Sequence, residues 1–524
     1  MRFKFCLISI FLGSVFLTSE KFVDAESDIK YYFTTLSVLL LLVIFLFSKN
    51  KLQYFVDKNQ TLAALKVMFV VGVAQAAYGI SQYMQILPSN HHIFTVTGSF
   101  DNPAGFSAIL SLLYPIGLYW CLKSRKLEQR IVFFLLGIVI FAIVLSGSRT
   151  GILSVLVSSL VIFVFELDIF QKIKNLKHYK LIFLASFLLI VAIAWGLYAY
   201  KVDSANGRIL IWKVSAEMIK DKPLLGFGIG GFQANYMDYQ ANYFAENSDS
   251  KLSLLADNTK HPFNEFVLMA VNYGIIGLLF YLSLLAIVAR RMLKSELPYK
   301  TIYIGIYFVF ILLSLFSYPL QYPPVWLLLI FIALSLFKKN IPQQMPVYIK
   351  ATLTVFCIAI IGLLSYKMYN ELQWNKIATQ SLQGKTKQML PHYQKLYPRL
   401  KHNAYFLYNY GAELNVAKKY QQSNEVLNEC VKQFNDYDLQ LLIADNYTKL
   451  DSTKLSLETY KKATNMIPCR FLPLYKQFEI HIKENNQEEA LQVAKNIQSK
   501  SVKVPSATVN YIKNKVDKYI ETYE

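Results

Sequence analysis

Long apolar runs recur along the first two thirds of this chain, and no other feature constrains its fold as strongly. A helix that crosses a ~30 Å hydrocarbon core needs about 17–25 apolar residues. Eleven segments read as candidate spans: roughly 5–18, 31–48, 61–82, 104–122, 131–147, 151–168, 181–199, 263–289, 301–317, 325–337 and 351–368. The first and tenth are the shortest. Composition agrees: 54% of residues are hydrophobic and only 17% charged, where soluble domains carry about 25% charge. The number of runs excludes a one-helix anchor. Their continuity excludes a transmembrane β-barrel, whose strands alternate over about ten residues. Segment 5–18 admits a second reading as a signal peptide, because Arg2 and Lys4 precede it and Val23-Asp24-Ala25 resembles a cleavage site. The topology below works better if the segment stays.

The net charge of +20 suggests a nucleic-acid partner until the charges are placed. One set of short loops holds Lys49, Lys51 and Lys58, then Lys123, Arg125, Lys126 and Arg130, then Lys172, Lys174, Lys177 and Lys180. It continues with Arg290, Arg291, Lys294 and Lys300, then Lys338, Lys339 and Lys350. Of the alternate short loops, 83–103 and 318–324 lack Lys and Arg, and 19–30 is a mild exception with Lys21 and Lys30. This is the positive-inside pattern. It predicts a cytoplasmic N-terminus, a tail on the opposite face, and no nucleic-acid role for the charge.

The chain divides by composition into a membrane region, 1–368, with a large outer loop at 200–262, and a polar helical region, 369–524. The second shows a period of about 34 residues. Ser423, Ser456 and Ala490 are spaced 33 and 34 apart, followed at matching offsets by Leu427, Tyr460 and Ala494, then by Cys430, Ala463 and Ile497. Gly411 and Pro468 fit the same pattern. The period resembles the tetratricopeptide repeat, a helix-turn-helix unit that stacks into a solenoid. Its concave surface either binds a protein or peptide, or the stack serves only as a helical cap. The five cysteines show no metal or redox spacing: Cys6, Cys121 and Cys357 read as packing residues, and a Cys430–Cys469 pair is left open.

Chemistry-bearing residues gather on the outer face. Thr97-Gly98-Ser99-Phe100-Asp101-Asn102-Pro103 leads into the fourth segment, and Ser146-Gly147-Ser148-Arg149-Thr150-Gly151 interrupts the fifth and sixth. An Arg at a membrane boundary is costly, so Arg149 reads either as ligand-bound or as snorkelling to the interface. Asn206-Gly207-Arg208 opens a stretch running through Trp212, Met218 and Ile219 that reads as an amphipathic helix on the outer interface. Asp221 to Gly230 is glycine-rich without the strand or Lys-Ser/Thr of a nucleotide loop, and reads as a tight turn against the membrane. Lys260-His261-Pro262-Phe263-Asn264-Glu265-Phe266 enters the eighth segment, inside which Gly274–Gly277 permits close packing.

Arg presents a permanently charged planar fork to phosphate oxygens. Two Arg at a membrane surface suit a lipid-linked diphosphate. His titrates near neutrality and can accept the proton of a hydroxyl. Arg149 and Arg208 would hold the leaving group, and His261 would activate a nucleophile. His91 and His92 are weaker candidates. ATP is not expected outside the cytoplasm, so a pre-activated donor fits.

At these residues the sequence resembles the superfamily of O-antigen ligases, O-antigen polymerases and protein O-oligosaccharyltransferases. The matching pieces are Thr97–Pro103, Ser146–Gly151, Gly207-Arg208 with Trp212, Asp221–Phe232, and Asn264-Glu265-Phe266 with Gly274–Gly277. They cover roughly 95–290 in the family's order. The resemblance implies an all-α polytopic bacterial inner-membrane protein of the glycosyltransferase C type, with a periplasmic C-terminal region. It implies transfer of a glycan from undecaprenyl diphosphate to an acceptor hydroxyl, on lipid A-core or on protein, without a cofactor and without a metal. Arg149 and Arg208 match the arginines that bind the diphosphate, and Asn102, Trp212 and Asn264 are weaker substrate-binding candidates. One departure stands out. Many members place His directly before the Asn matching Asn264; here Phe263 holds that position and His261 lies two residues earlier. Glu265 is therefore the alternative base, unless it only serves the helix dipole. The polymerase shares this chemistry. A transporter would bury charge mid-membrane, and a non-catalytic envelope scaffold would use the repeats alone.

Overall fold

The computed structural model describes residues 2–47, 58–168, 202–247, 250–337 and 346–523, with scattered positions between 172 and 199. Every described segment is helical or irregular, so the fold is all-α. Ten of the eleven expected spans fall on described helices. These are α1 (Arg2–Phe16), α2 (Asp28–Phe47), α3 (Lys58–Tyr83), α4 (Pro103–Lys123), α5 (Lys126–Leu145) and α6 (Arg149–Glu166), and, after two loop helices, α7 (Val202–Asp221) and α8 (Gly231–Glu246), also α9 (Glu265–Leu293), α10 (Lys300–Phe316), α11 (Pro323–Phe337) and α12 (Val347–Gln380). Most of segment 181–199 lies outside the described residues, as do Lys49, Lys51, Lys174, Lys177, Lys180, Lys338 and Lys339. Seven described helices are long and apolar enough to cross a membrane.

The chain forms two compact units: residues 1–197, 263–266 and 280–372, and residues 198–262, 267–279 and 373–524. In the first unit, α4 is central and its window is 89% buried. Phe106, Ile109 and Leu112 on it are inaccessible. Its small residues let neighbours close in: a Cβ on Gly117 would strike Phe69, and one on Gly105 would strike Tyr322. The first segment packs as an integral helix here. Phe11 and Val15 are fully buried, and the Val15 carbonyl accepts from Ser99 Oγ. Cys121 and Cys357 are buried as expected, but Cys6 is exposed and is no packing residue.

Lys30, the exception to the charge pattern, has a structural reason. Its side chain is buried and its Nζ donates to the carbonyls of Ser99 and of Glu26, the latter at 3.1 Å. It also lies 4.9 Å from the Phe100 ring centroid. A buried charge is tolerated only when hydrogen-bonded, and here those bonds pin the 97–101 loop.

The 263–289 segment is not one straight span. Gly274 has φ 63 and ψ −165, which breaks α9 in the middle. The Phe266 and Tyr281 rings are 5.6 Å apart, whereas a straight helix would separate those residues by about 22 Å. The chain therefore folds back. The part from Ile275 to Leu293 is about 28 Å long and can span by itself. The break frees main-chain groups, and the 223–228 turn satisfies them. Phe227 N donates to Val271 O (2.9 Å) and Gly228 N to Asn272 O (2.7 Å). In return, Ile275 N donates to Pro223 O (2.8 Å) and Ile276 N to Leu224 O (3.4 Å). The expected tight turn is thus a splice into a helix, and Gly274 serves backbone conformation as well as close packing.

The rest of the second unit joins the 200–262 loop to the polar tail. The tail supplies α13 (Thr386–Leu400), α14 (Ala404–Val416), α15 (Tyr420–Val431), α16 (Tyr437–Lys449), α17 (Thr453–Met466), α18 (Leu472–Lys483), α19 (Gln487–Ser499) and α20 (Ala507–Tyr523). The periodic small residues Ser423, Ser456 and Ala490 are fully buried. Ser423 Oγ donates to Gly411 O (2.7 Å) and Ser456 Oγ to Ala444 O (3.0 Å), one repeat apart. Helix α8 packs on α17, and buried Gln240 donates to Met466 O at 2.6 Å. Asn258 Nδ2 donates to Asp438 (3.0 Å), and Lys462 pairs with Asp238 (2.8 Å). Cys430 and Cys469 are both free thiols. The apolar face of α7 is used inside this unit: Leu210, Ile211, Val214 and Met218 are buried, so that face does not lie on the membrane interface as the periodicity suggested.

Gly274→Ala would push a Cβ into the Leu224 backbone and place a side chain at positive φ, which costs on the order of 1–3 kcal/mol. Thermal unfolding in detergent should show a lower Tm for this variant. Gly362→Ala, where nothing lies within 4 Å of the added Cβ, should be near neutral.

Candidate active site

In the first unit, two sequence-predicted residues, Asn102 and Glu265, meet the 318–322 loop, and Asn264 adjoins Glu265 in the chain. Asn102 caps α4: its Oδ1 accepts from Ala104 N (2.8 Å) and Gly105 N (3.3 Å). The Tyr322 hydroxyl donates to the same oxygen at 3.0 Å. Asn264 starts α9, with its Oδ1 accepting from Phe266 N at 2.9 Å. Glu265 follows, almost fully buried, and its Oε1 accepts from Leu320 N at 3.0 Å. Its Oε2 is buried and has no hydrogen-bond partner among the described residues. The fold-back of α9 brings Tyr281 to the level of Phe266. Both caps satisfy helix N–H groups that otherwise lack an acceptor. Asn102 and Asn264 thus have defined structural work whatever else they contact.

The loop residues Tyr318, Leu320 and Tyr322 were missed in the sequence. Tyr318 packs against Phe263 (5.4 Å between centroids) and Tyr322 (5.9 Å), and Tyr322 against Phe100 (5.7 Å). Phe263 has φ 52, the left-handed region that a bulky residue rarely adopts. Such strain persists where the surroundings enforce it, and it clusters at functional sites. The signal available in the sequence was Tyr-Pro-Leu-Gln-Tyr-Pro-Pro, an aromatic, proline-set turn without charge.

Arg149 is the first residue of α6 and is half-buried. Its helix is capped by Ser148, whose Oγ accepts from Gly151 N (3.1 Å) and from Ser107 Oγ (2.8 Å). Arg149 and Glu265 belong to the first unit; Arg208, Trp212 and His261 belong to the second. Arg208 is half-buried on α7, one turn before Trp212 on the same helix. Trp212 Nε1 donates to Pro262 O at 2.9 Å and so fixes the backbone beside His261. Burial, reinforced by the neighbouring Lys260 charge, pushes the His261 pKa down to about 4. The imidazole is therefore neutral at physiological pH and able to accept a proton. His91 and His92 stack on each other at 4.6 Å. His91 Nδ1 accepts from Ile93 N (3.0 Å) and Phe94 N (3.3 Å), which gives it a role in its own turn. Among the described residues, no three His, Cys, Asp or Glu side chains stand close enough to hold a metal ion.

Comparison with known families bears on this arrangement. Residues 131–282 match the family model described as O-Antigen ligase. This stretch is similar to the O-antigen ligase domain. It contains Arg149, Arg208, Trp212, His261, Asn264 and Glu265, and stops short of Asn102. A search of curated proteins gave no match. The family match and the apolar helices together support a multi-pass membrane protein.

A base with a depressed pKa has a simple pH signature. If His261 takes the proton, transfer should stay level through the usual histidine range near 6.5 and fall only as pH drops through about 4. A pH profile of kcat/KM measures this. An acid limb centred near 6.5 would show that His261 in this environment is not the titrating base.

Proposed function

We propose that this protein transfers an oligo- or polysaccharide from undecaprenyl diphosphate to an acceptor hydroxyl at the periplasmic face of the bacterial inner membrane. The observation that carries the proposal is that one family match spans both arginines and both candidate bases. Arg149 adds a cation at a helix N-terminus, where the dipole is already positive. That placement suits an anion, and it disfavours an Arg with only structural work. In the proposed reaction Arg149 and Arg208 bind the diphosphate. The neutral His261 accepts the acceptor's hydroxyl proton, and the oxygen attacks the anomeric carbon. The bond from that carbon to the phosphate oxygen breaks, and undecaprenyl diphosphate leaves with the electron pair. The donor is pre-activated, so the scheme uses no cofactor and no metal.

Glu265 is retained as the alternative base because one of its buried oxygens lacks a partner among the described residues. In that case His261 would only line the site. The tail supports a protein acceptor or a protein partner. Its paired helices fit a tetratricopeptide-like stack, and a cleft of about 560 Å³ lies among Lys387, Gln394, Tyr397, Tyr410, Lys419 and Glu425. Lipid A-core is the other acceptor, and a growing lipid-linked glycan would make the enzyme a polymerase.

Arg208→Ala should abolish transfer while leaving the protein in the membrane. The assay is complementation of a deletion strain, reading lipopolysaccharide ladders and envelope glycoproteins together. Loss of the whole ladder means a lipid A-core acceptor, a single-repeat ladder a polymerase, and an intact ladder with unmodified proteins a protein acceptor. Normal glycans in all of them would sink the diphosphate-binding role. His261→Ala and Glu265→Gln separate the bases: the true base should lose about 10²-fold or more in kcat. Glu265→Gln keeps an oxygen for the Leu320 N–H, so its loss would not reflect a broken contact.

A further inference from the structure

The 223–230 turn carries an exposed apolar surface that the transfer chemistry does not use. Leu224, Leu225 and Ile229 are 63%, 73% and 90% exposed. Ile229 sits between Gly228 and Gly230, whose φ values of 86 and 74 set a turn that turns the chain sharply on either side of it. The adjoining flank of the broken helix is also bare: Ile276 is 56% and Leu279 58% exposed. These two stretches are one surface, because Ile275 N and Ile276 N donate to Pro223 O and Leu224 O. Large exposed apolar patches on a folded protein mark an interaction site.

We propose that this surface inserts into the headgroup–acyl boundary of the phospholipid bilayer. Three observations select lipid as its occupant. The flank continues without interruption into the spanning part of α9, whose exposed residues already require hydrocarbon. The turn is rimmed by Lys220 and Lys222, which suit anionic headgroups. The apolar face of α7, the other amphipathic element nearby in sequence, is buried inside the protein and does not compete for lipid. The main-chain bonds to the broken helix fix the depth of the turn, so insertion needs no separate folding step.

The test uses the full chain in vesicles of phosphatidylethanolamine and phosphatidylglycerol, without donor. Cys6 and Cys469 are replaced by Ser, and a spin label is placed through Leu225→Cys or Ile229→Cys, with Glu217→Cys on the exposed side of α7 as reference. Collision with oxygen and with a water-soluble nickel complex reads depth. The labels at 225 and 229 should favour oxygen over nickel by several-fold relative to the label at 217. Equal ratios at all three positions would overturn the proposal. A shift at 225 and 229 that appears only after undecaprenyl diphosphate is added would also overturn it, and assign the surface to the donor's tail. Unchanged helical circular dichroism and gel-filtration behaviour exclude misfolding as the cause of either result.

Discussion

Four main-chain hydrogen bonds between the 223–228 turn and the two sides of Gly274 hold the most consequential irregularity of this structure. A broken helix leaves main-chain donors and acceptors without their helical partners, and each would be costly if buried unpaired. The turn supplies two N–H groups and two carbonyls in matching order. Glycine is required on both sides, since a Cβ at Gly226 would meet the Val271 and Asn272 backbone and one at Gly274 the Leu224 backbone. Asn272 extends the arrangement: its Oδ1 accepts from Phe232 N at 2.9 Å, at the start of α8.

The candidate bases inherit their environments from this arrangement. Because α9 folds back, Glu265 begins a short recessed helix and is buried, with one oxygen on Leu320 and one unpartnered among the described residues. His261 stands just before that helix. There Trp212 holds the neighbouring Pro262 carbonyl, and burial keeps the imidazole neutral. A carboxyl and an imidazole four residues apart thus meet different surroundings, the condition under which two titratable groups can take different roles.

Much of the fold was legible in the sequence. Membrane spans declare themselves because hydrocarbon demands continuous apolar length, and the described helices follow those runs closely. The repeat period is visible too, and its small residues Ser423, Ser456 and Ala490 are all fully buried. Arg149, Arg208 and His261 stand out in the sequence by residue type and setting alone. The Tyr318–Tyr322 loop does not, because its role lies in packing against Phe263 and Phe100, far away in the chain. The α7 stripe misled for a related reason: periodicity shows that a face is buried, and says nothing of what buries it.

The sequence by itself determined an all-helical protein with membrane-length apolar helices, because length and hydropathy are properties of neighbouring residues. Only the tertiary structure decided that Gly274 breaks a span, that the 200–262 loop packs with the tail, and that Lys30 is a buried clamp on Ser99 rather than a topological signal. Those outcomes depend on which distant backbone groups satisfy one another. That pairing is settled by the energy of leaving them unpaired, and no local pattern records it.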